Sequence, residues 1–382
     1  MKHKLFALVC MLVIFSMIIP AGGGAAEDVS DSTVKVYLPM VHKPSPSLPT
    51  IMPETTVELT EESTAELISV SEDGSTYLFD NTTPELDDVD VGDVIIGGVS
   101  AATPYGFLRK VIAMDDSSGD LILTTEQGTI EEAYEQLTIN VEQVITPDNL
   151  QAFMDIPGIT MVQSTEGVND INFNFELSNV ILFDKDGITN TVDDQIVING
   201  FLSFSPTYVY RLLIEGFEVK DFYFTQTMSV QSELSVTSRL SLVIQPPEKE
   251  ILPAPIPLGV YPIPGTPIVL TPNLQIYAGV NGRVYADITT TATRTDRFTA
   301  GLQYYNDTWK TISYHDTDFS FTVPTPDWGL AFTAYAGPKI NLYVNGTVNV
   351  YVKANLGLKL EIEPTGDPLL TLEFGLTVPV GV

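Results

Sequence analysis

From residue 171 onward, apolar and polar side chains take strict turns along the chain. Ile171, Phe173, Phe175 and Leu177 are separated by Asn172, Asn174 and Glu176. The same period recurs at Tyr208, Tyr210, Leu212 and Ile214, at Phe222, Phe224, Met228 and Val230, and at Leu240, Leu242 and Ile244. It returns at Leu274, Ile276, Ala278 and Val280, then at Val284, Ala286 and Ile288. The longest run is Ile340, Leu342 and Val344, then Val348 through Ile362 at every second residue. A two-residue period places one set on one face of a strand. The pattern therefore predicts an all-β, mainly antiparallel domain over about 165–382, a sandwich or barrel with these residues in its core.

Parity constrains the turns. Asn281-Gly282 and Asn345-Gly346 resemble hairpin loops, yet the apolar set keeps its parity across each. A two-residue loop would switch that parity, so three-residue loops are expected at both. Between these runs lies Pro246 to Pro272, with proline at nine positions. Proline lacks a backbone donor and is excluded from central ladders. The intervening residues (Ile251, Leu252, Ile256, Leu258, Ile263) are apolar, so the segment reads as an extended connector pressed against a hydrophobic surface.

The N-terminal part is patterned differently. Residues 61–160 show short strands with acidic turns, a small β module. Glu72-Asp73-Gly74-Ser75 is a hairpin signal between Leu67–Val70 and Thr76–Phe79. Thr129 and Glu132 form a capping box, with Ile130, Ala133, Tyr134 and Leu137 on one face, which predicts a helix over 130–138. Pro147 at a first helical position predicts a second over 147–155. Residues 27–60, with prolines 39, 44, 46, 49 and 53, read as a tether.

The formal charge is −31. Between Glu54 and Leu150 there are 22 acidic residues against Arg109 and Lys110 alone. Such a surface repels phosphates and anionic lipid, which argues against nucleic acid and membrane partners. Residues 1–26 carry the pattern of an export signal: Lys2 and Lys4, an apolar run from Leu5 to Pro20, and small residues at Gly24-Ala25-Ala26. The single cysteine, Cys10, lies inside it, so a processed chain would have no disulfide. The expected location is extracellular or at the cell surface. An outer-membrane barrel also has alternating strands, but clear aromatic girdles are missing and the proline segment breaks the strand succession.

Pro104-Tyr105-Gly106-Phe107-Leu108-Arg109-Lys110-Val111, with Thr125-Glu126-Gln127-Gly128-Thr129-Ile130-Glu131-Glu132-Ala133-Tyr134 downstream, resembles a module of large secreted bacterial proteins of unassigned function. The resemblance implies a secreted surface β module and brings no catalytic residues. Tyr37-Leu38-Pro39-Met40-Val41 resembles a short element near the ends of secreted proteins of some filamentous bacteria.

Phosphate-binding glycine loops, His-Glu-x-x-His, Gly-x-Ser-x-Gly and cysteine pairs are all missing. Beyond the signal, histidine occurs only at His42 in the tether and His315 in a predicted loop, which argues against a histidine triad. Three constellations remain. Asp184, Asp186, Asp193 and Asp194 around Gly187 offer oxygens to calcium, or form an ordinary acidic hairpin loop. Tyr277, Tyr285, Tyr343 and Tyr351, with asparagines between, suit stacking on a polysaccharide or simply a solvated sheet face, and Trp309 offers a further aromatic. Asp316 and Asp318 near Trp309 are the local candidates for a two-carboxylate glycosidase, which needs its pair roughly 5–10 Å apart across a cleft. The leading expectation is a non-enzymatic structural, adhesive or display protein. A carbohydrate- or lipid-binding module is the alternative and a glycosidase the third reading.

Overall fold

The computed structural model describes residues 15–18, 48–80, 82–116, 119–145, 158–162, 173–239, 242–244, 248–252, 254–263, 266–284, 288–322, 331–346, 348–361 and 365–377. The predicted helix over 147–155 and most of the tether, His42 included, lie outside them. The fold is all-β, with three sheets and three helices of one turn or so among the described residues. Among the described residues no helix is long and apolar enough to cross a membrane.

The N-terminal part holds β2 (Thr56–Glu58), α1 (Glu61–Ala65), β3 (Leu67–Val70), β4 (Thr76–Phe79), α2 (Pro84–Asp87), β5 (Val94–Gly97), β6 (Phe107–Asp115) and β7 (Leu121–Gln127). They form a six-stranded sheet in the order β2-β5-β6-β7-β4-β3, antiparallel except for the β2–β5 pair. The predicted hairpin at 72–75 joins β3 to β4, with Gly74 at φ 69°. There the Ser71 and Ser75 hydroxyls donate to Asp73 and hold its carboxyl down at about 2. One face of the module sheet buries Phe79, Ile95, Phe107 and Leu123, together with Leu86 of α2, in a core of its own. The other face sends Val94, Ile96 and Leu108 into the main core.

The helix predicted over 130–138 is shorter. The capping box at Thr129 and Glu132 is present, but α3 spans only Ile130–Ala133 and Tyr134 is already extended. Leu137 belongs instead to β8 (Gln136–Val144), whose Leu137 and Ile139 are buried. This strand pairs along β11 of the main body, and that ladder overrides the local helical spacing.

The main body is two stacked sheets sharing one core. The first has the order β19-β18-β12-β11-β10-β9, with β8 also against β11. Its strands are β9 (Ile159–Met161), β10 (Phe173–Asp184), β11 (Gln195–Glu215), β12 (Val219–Ser238), β18 (Ile288–Tyr305) and β19 (Thr308–Phe321). The second is built on β17 (Val269–Val284), β20 (Ala331–Val344), β21 (Val348–Glu361) and β22 (Thr365–Thr377). As the parity predicts, the even positions pack inward: Phe204, Tyr208, Tyr210, Phe224 and Met228 from one sheet meet Leu270, Ile276, Ile340, Val352 and Leu356 from the other. Phe15–Ile18 of the predicted export segment forms β1 against β22. Cleavage behind Ala26 would leave β22 as that edge.

The proline segment is not a plain connector. β13 (Leu242–Ile244), just ahead of it, and its own short pieces β14 (Lys249–Glu250), β15 (Ile256–Pro257) and β16 (Tyr261–Pro262) pair one after another with β17. Prolines interrupt the run every few residues, so the edge of the second sheet is laid down in fragments. Ile251, Leu252, Ile256, Leu258 and Ile263 are buried, as the apolar spacing implies.

The two loop predictions part company. At Asn345-Gly346, Val344 pairs with Val348, so three residues intervene and parity is kept. Asn281-Gly282 is no turn at all: Asn281 pairs with Thr333 and Gly282 with Phe332, inside β17. Parity is unbroken there because one strand simply continues.

Candidate functional site

The odd face of the second sheet carries the tyrosines and asparagines that suggested a sugar platform. In the structure much of this face holds the protein's own parts together. Tyr105, from the loop before β6, stacks on Tyr343 with ring centroids 4.6 Å apart. Asn273 Nδ2 donates to the Tyr105 hydroxyl at 3.3 Å. Asn341 Nδ2 donates to Asn273 Oδ1 and to Gln275 Oε1, each at 3.0 Å. Gln275 Nε2 continues the chain to Glu250 Oε1 at 2.9 Å, and the Tyr277 hydroxyl donates to Glu250 Oε2 at 3.5 Å. Lys353 lies 4.4 Å over the Tyr277 ring and pairs with Glu248. The network thus runs from the acidic module, across β17 and β20, to the proline segment.

Two glycines make the docking close. Gly106 (φ 67°) and Gly346 (φ 63°) meet back to back, and a Cβ on Gly346 would stand 2.8 Å from the Gly106 carbonyl. Only glycine combines that left-handed backbone with that approach. The resembled motif is itself a knot of contacts. Arg109 donates to Thr125 and Gln127, Lys110 pairs with Glu132 at 2.8 Å, and Glu132 closes the cap of α3.

Burial follows from this packing. Asn273 is 1 % exposed and Tyr351 7 %, with Lys339 4.2 Å over the Tyr351 ring. Tyr277 and Tyr343 are half-buried, and burial raises the Tyr343 phenol. Tyr285 lies outside the described residues. Trp309 is on the other sheet, 41 % exposed, against Phe222 and Tyr304. The five aromatics are therefore not one surface.

The acidic loop between β10 and β11 is more compact than its sequence implies. Asp184, Asp186 and Asp194 each bring a carboxylate oxygen within 4.8 Å of the others, and Asp193 is not part of the group. Gly187 (φ 74°) turns the chain, its N–H donating to Asp184 Oδ1 at 2.9 Å. The Asp186 N–H donates to Asp194 Oδ2 at 3.1 Å. The other Asp194 oxygen, Oδ1, is buried and accepts no hydrogen bond. These are the three carboxylates that could share a hard cation, whose ligands are oxygens.

The region around His315 is a strand, not a loop. Only Asn306 and Asp307 turn, both at positive φ, and β19 pairs with β18 from Thr308 to Phe321. Its register puts Asp316 and Asp318 together on the exposed outer face, side by side instead of across a cleft. His315 faces inward, and its Nε2 is 2.8 Å from Asp296 Oδ1.

That contact leads to a group the sequence reading missed. Arg294 and Asp296 sit at even, core-facing positions of β18, 2 % and 1 % exposed. Arg294 Nε and Nη2 grip the carboxylate at 2.5 and 2.6 Å, a bidentate pair. Arg294 Nη1 also donates to the Gly357 carbonyl at 3.2 Å, on the opposite sheet. Burial pushes the Asp296 carboxyl up, but His315 and Arg294 outweigh it and hold it below its ordinary value. Charged residues on the buried parity were the available signal.

No protein-family model, curated protein or solved structure matches the chain.

Proposed function

We propose that this protein is an exported, surface-located β-sandwich with a structural or display role and no catalytic activity of its own. The observation that supports this reading is the docking of the acidic module onto the odd face of the second sheet through Tyr105–Tyr343, Gly106–Gly346 and the amide chain. Side chains suited to a ligand are engaged in holding module, sandwich and proline segment as one body. An acidic outer surface and an export-type N-terminus agree with this role. The test is co-sedimentation of the purified protein with insoluble polysaccharides and with liposomes, each with calcium or chelator. No saturable binding is expected. Saturable binding to one glycan, lost in a folded Tyr343→Ala variant, would overturn the structural reading in favour of a sugar-binding module.

A second reading has one observation behind it. A groove of about 570 Å³ opens beside β9 and is lined by Asn174, Glu176, Asn199 and Phe201, the last 41 % exposed. An aromatic face among amides and a carboxylate suits a sugar ring. Glycan binding lost in Phe201→Ala, and kept in Tyr343→Ala, would place the ligand there.

The acidic loop is proposed to take calcium through Asp184, Asp186 and Asp194. Saturating calcium should then raise the melting temperature of the protein by about 2–5 °C, the scale of a ligand well above its dissociation constant. Asp184→Ala/Asp186→Ala should lose that shift and Asp193→Ala should keep it, measured by scanning calorimetry. Equal shifts in all three would reject the site.

A further inference from the structure

Sheets expose two edges, and an unpaired edge is a template for another strand. Short strands, prolines and bulges are the usual protection. The proline pieces beside β17 protect one edge of the second sheet in that way. The edge of the first sheet at β19 has no such device. It is 14 residues long, holds no proline, and shows no register shift along its pairing with β18. Its outer side pairs with nothing among the described residues.

The hydrogen-bonding side of β19 can be assigned. The Thr322 N–H donates to the Thr291 carbonyl at 2.8 Å, and these two positions are in phase with the Tyr305–Thr308 pair that closes the two-residue loop. Even positions of β19 therefore bond to β18. Odd positions, Trp309 through Phe319, present their N–H and C=O groups to the open side.

The side chains are self-complementary. Pairing β19 antiparallel with another β19 about an axis through Ser313 sets Lys310 opposite Asp316 and Ile312 opposite Tyr314. Moving the axis to Tyr314 sets Lys310 opposite Asp318, Trp309 opposite Phe319, and Tyr314 opposite its own copy. Both registers match odd with odd, as the bonding groups require. Neither puts two aspartates face to face, which charges placed to repel a copy would do. Trp309 (41 % exposed) and Tyr314 (58 % exposed) are the large side chains such a pairing would cover.

We propose that β19 pairs with β19 of a second copy of this chain about a twofold axis, joining two seven-stranded sheets into one continuous sheet. The inference deepens the structural role proposed above. It fails separately from that role, because glycan or liposome binding does not report on strand pairing.

The experiment is sedimentation equilibrium of the full chain across a wide concentration range, together with oxidative cross-linking in a Cys10→Ser background. A reversible dimer is expected. Lys310→Asp, which opposes like charges, should weaken the association at least tenfold. Adding Asp316→Lys and Asp318→Lys to that variant should restore it to within a few-fold. Thr311→Pro removes an outward N–H while leaving the bonds to β18 intact, and should also weaken dimerisation. Under oxidation, Tyr314→Cys or Ser313→Cys should cross-link far faster than Glu233→Cys in the middle of the sheet. A chain that stays monomeric throughout, with all three cysteines cross-linking at one rate, would overturn the proposal. So would a dimer unaffected by both Lys310→Asp and Thr311→Pro.

Discussion

Asp296→Ala is expected to destabilise the sandwich by about 3–5 kcal/mol, the range for breaking a buried ion pair from one side. The carboxylate accepts both arms of Arg294 and faces His315, and none of the three reaches solvent freely. Removing it leaves the guanidinium charged in the core without its carboxylate, while it still donates to the Gly357 carbonyl and rests 5.9 Å from the Phe319 ring. Urea unfolding at neutral pH measures the loss. The pH dependence follows from the sign of the shift. Burial alone would raise the Asp296 carboxyl, but its hydrogen bonds to His315 and Arg294 leave it below the ordinary value of about 3.9. Its contribution is therefore complete above about pH 4 and is lost as the pH falls through the folded value. Asp296→Asn should flatten that acid slope. A variant as stable as the parent at pH 7 would show that the pair is dispensable.

Phe204→Ala should cost a similar amount, about 3–5 kcal/mol, through a different term. Phe204 is fully buried and stacks on Phe173 and Phe175 at 5.3 and 5.9 Å, so one ring joins β10 to β11. Its loss removes apolar area and leaves a cavity between two sheets that cannot close independently. Phe204→Leu fills part of that space and should lose about half as much. Equal losses for the two substitutions would mean that the site collapses around alanine.

Much of this architecture is legible in the chain, because a period of two is a direct readout of a half-buried strand. Val344 and Val348 keep their parity, and the three-residue turn between them follows. Thr129 and Glu132 mark a helix start unambiguously. How far that helix runs is decided elsewhere: Leu137 serves a helical face or a β ladder equally well, and β11 supplies the ladder. Asn281-Gly282 misleads because turn residues are permitted in a strand wherever a neighbour holds both sides, as β13 and β20 do here.

The candidate sites were harder to read for one reason. Alternation tells which residues share a face and says nothing of what covers that face. Tyr343 and Tyr351 are on one face as predicted, yet Tyr105 and Lys339 already lie against them. The stretch from Trp309 to His315 looked like a loop because its inward-facing positions after Trp309, namely Thr311, Ser313 and His315, are polar. They can be polar because much of that stretch is exposed. In the acidic loop, Asp184, Asp186 and Asp194 come together as a group and Asp193 is not part of it.

The two sheets are not consecutive in the chain. β12 leaves the first sheet, the proline pieces and β17 build the second, β18 and β19 return to the first, and β20 to β22 finish the second. Neither sheet can be completed before the other is begun: Phe222 on β12 must wait for Tyr304, and Leu270 on β17 for Val344. Loop closure of that span has to be met before the pairing rewards it, which slows folding. The hairpin β11–β12 is local and can form early. Its free margin along β12 then stays open until β18 is delivered from across the core. The same weave that makes the finished body hard to open strand by strand makes the half-folded chain adhesive, with the unsatisfied margin of β12 as its most exposed point.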